Sequence, residues 1–172
     1  MSEIEPKIIL ADTNALLEAY RVGCLKTICS IHRIITVEKC VEETQTGFQN
    51  RDHDETIPRQ LIEEIITIQS VSDLDRAKLL LKLPNGPHLD DGELHLLAHA
   101  LTRNDAWLMA GADIALIRAV EKLGHIERLI SLGEVARLSH IGSNQLGRIA
   151  RHHQKPWLDE QRLAALMGLP RR

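Results

Sequence analysis

The sequence predicts a three-layer α/β/α sandwich with a mainly parallel central sheet, because short apolar runs alternate with amphipathic helical segments along the chain. The clearest run lies in residues 7–14, where apolar residues lead directly into Asp12, Thr13 and Asn14. An apolar run without helical spacing is typical of a buried strand, and polar residues such as these end a strand and cap the next helix. A length of 172 residues and a hydrophobic content of 44% support one compact domain with its own core.

The first half of the chain continues this alternation. Arg33–Val37 is short and β-branched, which indicates a second buried strand. The polar and charged residues 48–56 predict an exposed loop that forms a flap over a site at the strand ends. The other elements predicted before residue 84 are helices over 15–21, 25–32, 38–46, 58–66 and 73–83, and a third short strand over 66–71.

The second half begins after the break at Pro84-Asn85-Gly86-Pro87. Residues 90–93 open a helix whose apolar residues Leu94, Leu97, Ala98 and Leu101 share one face. The elements predicted beyond it are a strand over 107–110, a helix from Asp113 to 123 that stops at Gly124, an edge strand over 126–130, and helices from 132 onward, broken at Gly142 and Pro156 and ending with 157–167.

Charge divides the chain into a predicted main domain, residues 1–136, and a basic helical C-terminal extension, residues 137–172, packed on the same domain. The first range holds 14 Lys and Arg against 22 Asp and Glu, and the second holds 7 against 2. A basic segment on an acidic body predicts contact with phosphates or with an acidic partner.

Composition excludes several classes of protein. No run approaches the ~20 apolar residues of a membrane span, and the acidic N-terminus is unlike a secretion signal, so we expect a cytoplasmic protein. Cys24, Cys29 and Cys40 lack the spacing of a metal or redox motif and are interpreted as small buried hydrophobic residues. Only four residues are Phe, Trp or Tyr, which argues against an aromatic platform for single-stranded bases.

Acidic residues stand where the predicted strands end. Asp12 and Asp113 each follow a strand, Glu93 opens a helix beside them, and Glu42 and Glu43 lie on the helix after the second strand. Because the exits of parallel strands lie side by side, these carboxylates can converge, and their mutual repulsion favours a bound cation. Carboxylate oxygens in this number suit Mg²⁺ or Mn²⁺. The simpler alternative is that Asp12 or Asn14 only caps a helix.

Four segments resemble the PIN-domain family of metal-dependent ribonucleases, which includes the toxins of many bacterial toxin–antitoxin pairs. They are Asp-Thr-Asn at 12–14, an acidic residue four before Gly47, LDDGELHLLAHAL, and MAGADIALIRAVEKLG. The resemblance extends over about residues 7–135. It implies an endoribonuclease that hydrolyses RNA phosphodiester bonds with Mg²⁺ or Mn²⁺, and it implies two further partners, an antitoxin protein and a second copy in a homodimer.

The resemblance also assigns roles to residues. The implied catalytic and metal-binding residues are Asp12, Glu43, Glu93 and Asp113. Thr13 and Asn14 would not bind the metal themselves but would orient the carboxylate of Asp12. The contacts to the RNA backbone are expected from the basic extension, through Arg148, Arg151 and Lys155. Residues 110–112 lack the hydroxyl that many family members carry shortly before the last acid.

Several alternatives stay open at this point. Glu42 could replace Glu43 as the ligand, and the site could hold one metal ion or two. His95 and His99, with His88 upstream, have a spacing that can bind zinc but lack the glutamate of the zinc protease motif. A phosphoryl-aspartate phosphatase of the haloacid dehalogenase type would need a second Asp where Asn14 stands. The last alternative is a PIN-fold module that binds RNA or protein without cutting it.

Overall fold

The computed structural model describes residues 4–46 and 56–170, and within these ranges the chain builds one four-stranded, all-parallel sheet of order β3-β2-β1-β4. The predicted α/β/α class is therefore confirmed. The strands are β1 (Ile8–Ala11), β2 (Arg33–Val37), β3 (Thr67–Gln69) and β4 (Trp107–Ala110).

Helices connect the strands and continue after the last one. They are α1 (Thr13–Arg21), α2 (Leu25–Ile31), α3 (Glu38–Thr46), α4 (Arg59–Ile65), α5 (Asp73–Lys82), α6 (Asp91–Leu101), α7 (Ile114–Lys122), α8 (Leu132–Leu138), α9 (Ser143–Leu146) and α10 (Lys155–Leu166). Two 3₁₀ turns, Ile126–Arg128 and Arg151–His153, interrupt this series. In the described part of the chain, none of the helices is long and apolar enough to cross a membrane.

The two faces of the sheet bury separate hydrophobic clusters, because neighbouring side chains on a strand point to opposite faces. Ile9 of β1 packs with residues of α1, α2, α4 and α8. Leu10, the next residue, packs instead with residues of α6, α7 and α10. The sheet is thus covered on both sides, which explains why its strands are almost continuously apolar in sequence.

The register of the two central strands positions the site. In β1 and β4, Ile8 pairs with Trp107 and Ala11 pairs with Ala110, so both strands end at the same level. The chain segments that follow them, beginning at Asp12 and at Gly111, therefore leave the sheet side by side.

Three sequence predictions need correction or lie outside the description. Residues 126–130 are not an edge strand, because Ile126–Arg128 forms a 3₁₀ turn and only Leu129 makes a bridge to Met109. Pro156 does not break the C-terminal helix but lies in the first turn of α10, where a missing backbone N–H costs no hydrogen bond. Most of the predicted flap, residues 48–55, lies outside the described residues.

The cysteines have the predicted character of small core residues. Cys24 and Cys40 are buried and Cys29 is partly buried, and all three are free thiols. Burial raises the pKa of Cys24 to about 11 and that of Cys29 and Cys40 to about 12. Thiols with such high pKa values are weak nucleophiles at neutral pH.

Candidate active site

Asp12 lies at the exit of β1 and is almost fully buried, with 3% of its surface exposed. It is the N-cap of α1, where its Oδ1 accepts a hydrogen bond of 2.7 Å from the Ala15 N–H. Its own backbone N–H donates to the Ala110 carbonyl of β4 at 3.1 Å, which ties the two strand exits together. Asp12 is therefore a helix cap, as the simpler alternative holds, and also a buried carboxylate.

Gly111 allows the exit of β4 to pass close to this carboxylate. A Cβ at position 111 would lie 3.1 Å from Asp12 Oδ2, closer than ordinary van der Waals contact. The segment after β4 thus approaches Asp12 with its backbone and without a side chain. The place of Gly111 directly after a strand is a sequence signal of close backbone approach, which the predicted site residues do not include.

The electrostatic surroundings of Asp12 are acidic. Burial, the largest effect, raises the pKa of Asp12 to about 7, and the charges of Asp90 and Asp113 raise it further, while the N–H groups of Ala15 and Ala112 act against the rise. Within residues 4–46 and 56–170, no Lys or Arg forms an ion pair with Asp12. The charge of an ionised Asp12 is consequently compensated only by backbone dipoles.

Glu93 is the second buried carboxylate of this group, with 5% of its surface exposed. It forms a capping box with Asp90 at the start of α6: the Glu93 N–H donates to Asp90 Oδ1 at 2.8 Å, and the Asp90 N–H donates to Glu93 Oε2 at 3.1 Å. Burial first, then the charges of Asp113, Asp90 and Asp12, raises the pKa of Glu93 to about 9. Asp90, the N-cap of α6, thus also belongs to the acidic group.

Asp113 completes the group from the end of the β4 exit. It is exposed and caps α7, and its Oδ1 accepts a hydrogen bond of 2.6 Å from the Ala115 N–H. It is near enough to raise the pKa of both Asp12 and Glu93. The carboxyl edge of the sheet therefore brings together three of the four predicted acids, with Asp90 in addition.

Glu43, the fourth predicted acid, lies beside this group and is held by hydrogen-bond donors. Its Oε2 accepts from the Thr13 hydroxyl at 2.6 Å, and its Oε1 accepts from the Gly92 N–H at 3.0 Å. A Cβ on Gly92 would overlap the Glu43 carboxylate, so the absence of a side chain at position 92 allows this approach. Glu43 thus links α1, α3 and α6.

The remaining predicted residues of this region are Glu42, Thr13 and Asn14. Glu42 forms a salt bridge of 3.1 Å with Lys39, and its side chain is 58% exposed. Thr13, expected to orient Asp12, donates to Glu43 instead. Asn14 is exposed on the first turn of α1. Of the two adjacent glutamates, the one nearer the acidic group is Glu43.

The donor set fits a hard cation in chemistry, because it consists of carboxylate oxygens and includes two buried acids without a cationic partner in the described ranges. As the side chains stand, however, no three His, Cys, Asp or Glu residues of the described part come close enough to hold a metal ion together. A cation shared by Asp12, Glu93 and Asp113 would therefore require their carboxylates to draw closer.

The histidines of the zinc alternative do not converge either, as far as the described residues go. The Nδ1 of His95 lies 2.6 Å from the Asp91 carbonyl of its own helix, and the Nε2 of His99 lies 3.2 Å from an Arg103 guanidinium nitrogen. His88 is exposed in the segment before α6. His95 and His99 thus contact different groups and do not face a common point.

The three basic residues expected to contact RNA are exposed, but two of them pair with acids. Arg151 lies 3.7 Å from Glu160, and Lys155 lies 2.7 Å from Asp159. The backbone carbonyl of Arg148 accepts a hydrogen bond of 2.7 Å from Arg21, which fixes this segment against α1. The positive charge of residues 137–172 is thus partly neutralised within the extension itself.

Comparison with known proteins adds no family assignment: no family model matches the chain, and a search of curated proteins finds no significant match. The interpretation of the site therefore rests on its own residues and their geometry.

Proposed function

We propose that the protein is a Mg²⁺- or Mn²⁺-dependent endoribonuclease with a PIN-like site at the carboxyl edge of its sheet. The proposal rests on two buried carboxylates, Asp12 and Glu93, whose pKa values are raised by burial and by the charges of Asp90 and Asp113. Neither buried acid has a Lys or Arg partner in the described ranges. Buried charges are normally paired or bound to a metal ion. Repulsion in such a group is relieved by a proton or by a cation.

The chain supplies fixed positions for this chemistry. The Ala15 N–H holds the carboxylate of Asp12 at 2.7 Å, and the capping box holds Glu93 at the start of α6. Glu43 ties α6 to α1 through Gly92 and Thr13, so the two buried acids keep their spacing. A divalent cation held by Asp12, Glu93 and Asp113 would supply activation of water and stabilisation of charge on the phosphate.

The proposal includes the biological setting that the family resemblance implies. Such a nuclease would act as the toxin of a toxin–antitoxin pair, with an antitoxin protein that blocks the acidic edge, and a homodimer is a further expectation. Arg148 and Arg151 would add contacts to RNA phosphates from the basic extension.

The first prediction concerns cleavage itself. The purified protein should cut RNA with Mg²⁺ or Mn²⁺ and stop when EDTA is added. Asp12→Asn should lower the cleavage rate at least about 100-fold, because it removes a central charge of the site while Asn keeps the helix cap. Gel assays of labelled single-stranded and structured RNAs would measure both rates.

Asp73→Asn is the matched control, since Asp73 is an exposed acid in the first turn of α5 and pairs with Arg76. It should cleave at the unmodified rate. RNA that stays intact with both metals across the substrate panel would contradict the nuclease and favour the binding module without cleavage. Equal cleavage by the Asp12→Asn protein would remove Asp12 from the site.

A further inference from the structure

A groove of about 300 Å³ runs between α7 and α10, next to the acidic edge. It starts at Ile114, the residue that follows Asp113 and opens α7. Its walls are apolar at Ile114, Leu163 and Leu169, and three polar residues line it as well: Arg118, Glu160 and Gln161. The volume is at the small end of the range found for ligand sites.

The position of the groove suggests which molecule reaches it. Asp113 belongs to the acidic group, and the helix that it caps forms one wall of the groove. A polymer whose phosphate lies at the acidic edge therefore has its neighbouring units beside the groove. The C-terminal extension supplies the other wall, so the groove exists only because α10 packs against α7.

The lining favours a base over a phosphate. Arg118 and Glu160 give the groove charges of both signs, and Glu160 lies 3.7 Å from Arg151, so the lining is not a uniformly positive phosphate site. Glu160 can accept hydrogen bonds from the amino or imino groups of a base, and the Gln161 amide can both donate and accept. The Arg118 guanidinium donates to the Leu169 carbonyl at 2.7 Å, which holds it at the groove. Guanidinium planes stack on unpaired RNA bases much as aromatic rings do.

We propose that the groove between α7 and α10 binds one base of the RNA strand next to the cleaved phosphodiester bond and thereby gives the enzyme a base preference. This inference rests on the proposed nuclease function. It assigns to the C-terminal extension a role in reading the substrate: its residues Glu160, Gln161 and Leu163 form the second wall.

The test maps cut sites in a pool of random-sequence RNA with Mn²⁺. The unmodified protein should show a base preference at one position beside the cut. Arg118→Ala and Gln161→Ala should each reduce the rate at preferred sites about tenfold, toward the rate at other sites, because lost base contacts remove discrimination. Arg118→Lys keeps the charge without the planar group and should lose the preference as well.

Two exposed residues of α4 supply matched controls. Arg59→Ala and Gln60→Ala remove the same side-chain types far from the groove in sequence and should leave the preference intact. Melting curves of all variants show whether each one is folded, and the Arg118→Lys and Gln161→Ala proteins carry the test if Arg118→Ala unfolds.

The outcomes separate the two proposals. RNA left intact by the unmodified protein overturns the nuclease function and this inference with it. Cleavage without any base preference, or with a preference that persists in the Arg118 and Gln161 variants, overturns only the proposal that the groove binds a base. The groove would then bind another molecule, such as a segment of a protein partner.

Discussion

The first helix of the protein has two buried carboxylates whose surroundings are opposite. Asp12 caps its N-terminus among other acids, and Glu18, further along the helix, accepts hydrogen bonds from Arg21 at 2.7 and 2.8 Å and from the Ala150 N–H at 2.7 Å. Burial acts to raise the pKa of both. For Glu18 the bonds from Arg21 and Ala150 outweigh burial and hold the pKa below its ordinary value, whereas Asp12 is raised to about 7.

The comparison shows that burial does not by itself distinguish a functional acid from a structural one. The charge of Glu18 is matched by Arg21, which also donates to the Arg148 carbonyl, so the pair fastens residues 148–150 to the helix. The charge of Asp12 has no such match in the described part of the chain. This lack of a matching charge is what makes Asp12, and not Glu18, the candidate for the proposed chemistry.

The largest expected effect on stability comes from removing Glu18, the carboxylate whose charge is matched by Arg21. Glu18→Ala should destabilise the protein by about 3 kcal/mol, because it leaves the partly buried Ala150 N–H without an acceptor and Arg21 without its carboxylate partner. For a chain of this size, that corresponds to a fall in melting temperature of about 6–12 °C. Thermal melts at neutral pH would measure the change.

Glu63→Ala is the control for this variant, since Glu63 is half exposed and pairs with Arg59 on the surface of α4. Exposed ion pairs contribute little, so its melting temperature should stay close to that of the unmodified protein. Equal melting temperatures for the Glu18 and Glu63 variants would mean that the pair at Glu18 does not fasten the extension.

Removing the unmatched charge of Asp12 should instead stabilise the protein. In EDTA at pH 8, Asp12→Asn should stabilise the protein by about 2 kcal/mol. The raised pKa of Asp12, about 7 against an ordinary 3.8, corresponds to an upper bound of about 4 kcal/mol. We reduce this because the Asn amide is itself a polar group whose burial costs free energy.

The dependence on pH gives the sharper test of Asp12. From about pH 4 to about pH 7 the unfolded chain has lost the Asp12 proton while the folded protein keeps it, so the stability falls as the pH rises through this window. Asp12→Asn should flatten that fall, and it should remove most of the stabilisation by Mn²⁺. Asp73→Asn should do neither. Parallel pH profiles for the unmodified and Asp12→Asn proteins would contradict the raised pKa.

The sequence predicted the sheet well because its strands are buried on both faces and bounded by strong capping residues. Asp12 and Asp113 were located for the same reason: each ends a strand and caps a helix. The strand prediction for residues 126–130 was wrong because a short run with apolar ends resembles a strand. In the structure, the Arg128 guanidinium donates to the Trp107 carbonyl and lies over the Trp107 ring, and periodicity does not encode such contacts.

The parts of the site that the sequence could not predict depend on distances between segments remote in the chain. The ion pair of Glu18 with Arg21 is local, three residues apart on α1, but the Ala150 N–H that also donates to Glu18 lies 132 residues beyond it. The contact of Glu43 with Gly92 likewise spans 49 residues. Only packing of α3 against α6 decides that Glu43, and not Glu42, faces the site.

The smallest expected effect concerns Glu43, which is held by donors as Glu18 is but lies beside the acids that surround Asp12. Gly92→Ala should destabilise the protein by about 1 kcal/mol, because the new Cβ displaces the Glu43 carboxylate from the Thr13 hydroxyl and the residue 92 N–H. In a Glu43→Ala background the same change should instead stabilise by about 0.5 kcal/mol, since alanine favours a helix over glycine. Urea unfolding of the four proteins gives the coupling between the two positions. An equal cost of Gly92→Ala in both backgrounds would show that Glu43 does not fill the space at Gly92 and would reopen the choice between Glu42 and Glu43.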